Sequence, residues 1–181
     1  MMDMLSAGGM PVMCEGEYPS QPGGNRHVQA TPATGGARPQ VPQQWLAAAE
    51  GKACKLDSQL LFNLPASHEY RVIFMQRELE EVLAAYAATE PRRGEDNNEP
   101  PEMLRRHFEQ HLRRVDHWLN GPRLIAYQYC PYDETIAQPL VTARRVTAFL
   151  GLRLNTDAMA AAAYRAMPRR AVDIDPAPRV C

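Results

Sequence analysis

"RVIFMQRELEEVLAAYA", residues 71–87, runs from a cluster of Val, Ile and Phe into a series of helix formers, with Arg77 at the joint and no glycine to ease the turn. With Tyr70 in front, "YRVIFM" (70–75) has the compact apolar composition of a strand covered on both faces. Beyond Arg77, Leu79, Val82, Leu83 and Tyr86 fall at helical spacing, and Glu78, Glu80 and Glu81 place negative charge at the positive end of that helix. An arginine just past the carboxyl end of a buried strand can hold a phosphate through a bidentate fork at any working pH. It can equally pair with a neighbouring glutamate, and spacing alone favours that pairing. The acidic first turn opposes docking of an anion on the helix N-terminus, so Arg77 alone speaks for one.

Working outward, "RLIAYQY" (123–129) is a second strand of the same kind, and "KACKLD" (52–57) is a shorter third. Helices are expected at Met1–Ala7, ended by Gly8-Gly9; at 42–50, where Pro42 suits a first turn; and at 104–119, where Leu104, Phe108, Leu112, Val115 and Leu119 form one stripe. A loop follows the 123–129 strand. Then come "VTARRVTAFLG" (141–151), closed by its glycine, and a last helix capped from Asn155, Thr156 or Asp157 and reaching Met167. From Pro19 to Pro42, nine residues are Gly or Pro and none is aromatic, which predicts a flexible loop. Residues 91–102 are a polar, Pro-rich break, and 168–181 a loose tail. Strands alternating with helices imply right-handed crossovers and a parallel sheet, with ligands at the carboxyl ends of its strands.

The 181 residues, 45% of them apolar, suffice for one domain with a real core. Twenty basic residues stand against twenty-one acidic, so no overall field draws the chain to nucleic acid or an anionic membrane. Four scattered cysteines (Cys14, Cys54, Cys130, Cys181) make no C-x-x-C pair, which argues against a zinc site or a disulfide framework and fits a reducing cytoplasm. No stretch approaches the roughly 18 apolar residues of a membrane span, and the start lacks a basic leader region.

His107 and His111 lie one turn apart, but "HFEQH" is not H-E-x-x-H, and a solvated helix face is the expected reading rather than a metal site. The pairs Arg105-Arg106 and Arg113-Arg114 read as the wet face opposite the Leu/Phe/Val stripe, with Glu102 and Glu109 at pairing distance. The glycine-rich "PGGNR" and "GGARP" pieces follow no strand and lack a G-K-[ST] ending, so neither is a phosphate loop.

In order and spacing, "YRVIFMQRELEEVLAAYA", "GKACKLD" upstream, and "RRGEDN" and "ARRVTAFLGLRLNTDAMAAA" downstream resemble the bacterial sulfotransferases that use 3'-phosphoadenosine 5'-phosphosulfate (PAPS). The resemblance covers most of residues 1–14 and 50–165. It implies a three-layer α/β domain over 1–167, a parallel sheet flanked by helices in the P-loop NTPase-like manner, and transfer of a sulfuryl group from PAPS to a hydroxyl or amine acceptor. In that family an arginine and a serine eight positions later bind the donor's 3'-phosphate; Arg77 matches the first, and Ala85 stands where the second belongs. Family members open with a strand and a phosphosulfate-binding loop of the type P-R-S-G-T-S, and "MMDMLSAGGMPVM" resembles the helix after that loop. The expectation is therefore a truncated domain, lacking first strand and loop, impaired or inactive in transfer and binding the nucleotide weakly or not at all. An open sheet edge then calls for a second chain, for instance in a homo-oligomer, or leaves the domain marginal. The alternative is a non-catalytic interaction protein keeping the fold, with Arg77 an ion-pair member. His27, His68 and His107 are available as a general base by residue type only.

Overall fold

A computed structural model describes residues 1–13, 43–89, 100–121 and 124–166. It is a mixed structure of helices and a small parallel sheet. The elements are α1 (Met2–Ala7), α2 (Gln43–Ala49), a 3₁₀ helix (Ser58–Asn63), β1 (Tyr70–Gln76), α3 (Leu79–Thr89), α4 (Pro101–Leu119), β2 (Ile125–Pro131), α5 (Tyr132–Ala137), α6 (Pro139–Leu150) and α7 (Thr156–Ala166). The expected loop 19–42 and tail 168–181 lie outside the described residues.

β1 and β2 pair in parallel over their full length, from Tyr70 opposite Ile125 to Gln76 opposite Pro131. Parallel neighbours need a crossover, and α3 and α4 supply it. Side chains alternate across the sheet. The even positions Tyr70, Val72 and Phe74, with Ile125, Tyr127 and Tyr129 opposite, pack on a cluster built from Leu46, Leu61, Leu64, Val115, Trp118 and Leu119. Ile73, Met75 and Cys130 face the other way, into a cluster with Met4, Leu5, Ala143, Val146, Met159 and Ala163 from α1, α6 and α7. Two apolar faces explain why both strands read as continuous apolar runs.

The short helix at the start is present, and Gly9 (φ 93°) takes the left-handed turn that ends it. Gly8 serves the packing: a Cβ there would stand 2.7 Å from Met159 Cγ, so α1 lies on α7 only because the methyl is missing. Asn155 donates its backbone N–H to the Gly8 carbonyl at 3.0 Å and ties the same seam. Asn155 also caps α7, its Oδ1 accepting the Ala158 N–H at 3.0 Å. Gly151 (φ 66°) closes α6 as its position predicts.

Three expectations are corrected. "KACKLD" forms no strand; it contributes one parallel bridge, Ala53 opposite Val12, held by Ala53 N–H to Pro11 O at 2.8 Å and Met13 N–H to Ala53 O at 2.9 Å. Lys52, Lys55 and Asp57 are exposed, leaving too little apolar side chain to cover a strand on two faces. The stretch after β2 is α5 rather than a loop, its Thr135 hydroxyl donating to the Pro131 carbonyl at 2.8 Å. The stripe of α4 is buried only at its C-terminal end, where Val115, Trp118 and Leu119 meet the core, while Leu112 remains 42% exposed. A 19-residue helix is about 28 Å long, and a seven-residue strand spans roughly 20 Å, so α4 is longer than either strand.

Candidate anion site at the carboxyl end of the sheet

Because β1 and β2 run parallel, their carboxyl ends lie side by side, and the next residue of each chain segment is Arg77 on one and Tyr132 on the other. The Arg77 guanidinium carbon sits 3.9 Å over the centroid of the Tyr132 ring. A cation over an aromatic face is held by the ring quadrupole while its N–H groups stay available at the edge. Arg77 is exposed. Among the described residues it joins no ion pair, and one of its neighbouring glutamates, Glu80, accepts instead from Arg105 of α4 at 2.6 Å. That pair is exposed and contributes little to stability, but it gives Glu80 a partner other than Arg77. It also replaces the expected pairing of Arg105 within its own helix.

The second arginine near this end is already neutralised. Arg145 of α6 reaches Glu134 of α5 with two donors, at 2.9 and 3.3 Å. Cys130, the penultimate residue of β2, is 0% exposed; burial pushes its thiol up, and the neighbouring Arg145 only partly offsets this. A protonated, sealed thiol is neither nucleophile nor base. Among the described residues, the arrangement can therefore hold an anion at Arg77, and the one thiol beside it is not activated.

The other sequence-predicted residues are scattered. Ala85 lies exposed on α3, and its methyl cannot donate to a phosphate oxygen. His27 lies outside the described residues. His68 precedes β1, at the opposite end from Arg77, bonded to Ser67 Oγ at 2.9 Å and facing the Tyr70 ring; roughly 20 Å of strand separates it from the site. His107 is exposed on α4. His111 is not on a fully solvated face: its Nε2 is 2.7 Å from Ser58 Oγ, its ring meets the edge of Phe62, and burial followed by the Arg114 charge lowers its pKa. Among the described residues no group of three His, Cys, Asp or Glu side chains could hold a metal ion, and no helix is long and apolar enough to cross a membrane.

Sequence reasoning missed Tyr132, Glu134 and Arg145. Pro131 and Pro139, each placed where a helix begins, bracket α5 and were the available signal. Comparison with family models, with curated proteins and with solved structures returned no match.

Proposed function

We propose that this chain carries a sulfotransferase-type α/β domain, in which Arg77 contacts the 3'-phosphate of a PAPS-type nucleotide and sulfuryl transfer is impaired or lost. The observation that carries the reading is Arg77 itself: exposed, beyond the carboxyl end of a parallel strand, without a carboxylate among the described residues, and braced on Tyr132. Carboxyl ends of parallel strands are where α/β folds bind ligands. The two apolar clusters on opposite faces of β1 and β2 are what a three-layer, P-loop NTPase-like arrangement requires. A cytoplasmic setting goes with it, since four scattered cysteines without a C-x-x-C pair suit a reducing compartment.

Impairment is supported by Ala85, which leaves Arg77 without the second side-chain donor of the resemblance, and by the absence of an activated base among the described neighbours of Arg77. The same observations favour a second reading, a non-catalytic interaction protein on the same fold, homodimeric pairing of a sheet edge being its simplest form.

Calorimetric titration of the full chain with 3'-phosphoadenosine 5'-phosphate and with adenosine 5'-monophosphate separates the two. The first reading expects weak binding of the bisphosphate, at least about tenfold weaker binding of the monophosphate, and loss of that difference in Arg77→Ala, as removal of one charge-assisted contact dictates. Equal binding of both nucleotides refutes the role of Arg77. A silent titration of folded protein leaves the second reading, which sedimentation of the same sample then examines.

A further inference from the structure

A concavity among the described residues lies away from Arg77, none of its lining residues being a neighbour of that arginine in the chain. It is an open groove of about 520 Å³ lined by Phe62, Gln110, Arg113, Arg114, His117 and Trp118. We propose that this groove binds a small organic anion with an aromatic body, the ring lying on Phe62 and Trp118 and the charged group meeting Arg113 and Arg114.

The walls are of two kinds. Phe62 and Trp118 meet edge to face, with centroids 6.4 Å apart and an interplanar angle of 87°, and supply an apolar floor. The rim carries cations and no carboxylate. Arg114 is drawn over the floor, its guanidinium carbon 4.9 Å from the Phe62 centroid, and no acidic residue stands one turn away from it on α4. Arg113 has Glu109 and Asp116 at helical spacing, but Asp116 is engaged by the Tyr129 hydroxyl at 2.9 Å and by Asn120 at 3.3 Å, while Glu109 acts on Arg105. Among the described residues neither Arg113 nor Arg114 joins an ion pair. Exposed arginines on a helix ordinarily have neighbouring carboxylates as company; here two project beside an aromatic floor of a size suited to a small molecule. Charge complementarity selects an anion, and the floor selects a flat ring. A bare inorganic anion would leave the floor unused.

The test uses 2-naphthalenesulfonate, with 2-naphthol as its neutral counterpart and inorganic sulfate as its ring-free one, titrated calorimetrically into the full chain. In Trp45→Phe, tryptophan emission reports Trp118 alone, since the chain has two tryptophans. The proposal expects one site for the sulfonate, a change in Trp118 emission, binding at least about tenfold weaker for naphthol and for sulfate, and weakening as salt rises. Arg113→Gln with Arg114→Gln, both at exposed positions, should bring the sulfonate down to the level of naphthol while far-UV dichroism is unchanged. Equal affinity for sulfonate and naphthol, indifference to the double substitution, or no binding at all overturns it.

Discussion

Gly8→Ala puts one methyl into the seam between α1 and α7. The added carbon would stand 2.7 Å from Met159 Cγ, 2.9 Å from its sulfur and 3.3 Å from Leu154 Cβ, whereas relaxed carbon contacts lie at roughly 3.5–4.0 Å. Met159 is 0% exposed, so its side chain has no open space to move into. Nor can α1 slide freely, because the Gly8 carbonyl is held by the Asn155 N–H and Met4 and Leu5 are buried alongside. At φ −72° the backbone of residue 8 suits alanine, so conformational entropy alone would make the substitution stabilising by about 0.4–1 kcal/mol. Overpacking of this kind costs about 1–3 kcal/mol, and a net loss of about 1–2 kcal/mol remains. For a domain of this size that lowers Tm by roughly 2–8 °C. Urea and thermal denaturation followed by circular dichroism measure both. Met159→Ala is costly alone, but in combination with Gly8→Ala it should recover about 1 kcal/mol through the coupling of touching residues. A neutral or stabilising Gly8→Ala, or additive effects in the double variant, would refute the close approach of the two helices.

Tyr129 has its pKa pushed up to about 12, first by burial and then by the hydrogen bond and charge of Asp116. Its neutral form is favoured in the folded state, so the associated stability is complete below pH 10 and is lost between pH 10 and about 12; ultraviolet titration should show one tyrosine ionising late, absent in Tyr129→Phe and earlier in Asp116→Asn. His111 shifts the opposite way, below its ordinary 6.5, through burial and Arg114. As pH falls below 6.5 the unfolded chain takes up the proton first, so stability should decline on acidification, and His111→Gln should flatten that slope in denaturation midpoints measured between pH 7 and 5.

The strand–Arg77–helix unit was legible because its signals are local: a doubly apolar strand, a change of hydrophobic period at one residue, and acidic residues in the first helical turn. The ends of α6 and α7 were legible for the same reason, through Gly151 and Asn155. Partnerships across elements were not. Glu80 lies three residues from Arg77 in sequence yet pairs with Arg105, and Arg145 finds Glu134 eleven residues back, because packing of α4 and α6 sets which side chains come within reach. Tyr132 reaches Arg77 only through the parallel register of β1 and β2.

By itself the sequence determined the run β1–α3–α4–β2 and the placing of one cation after a buried strand, since propensity, capping and period act over a few residues. Tertiary structure alone decided that this cation is braced on a ring and, among the described residues, matched by no carboxylate, and that Arg113 and Arg114 border an aromatic groove rather than a plain wet face. Those outcomes depend on contacts between residues far apart in the chain, which no local pattern encodes.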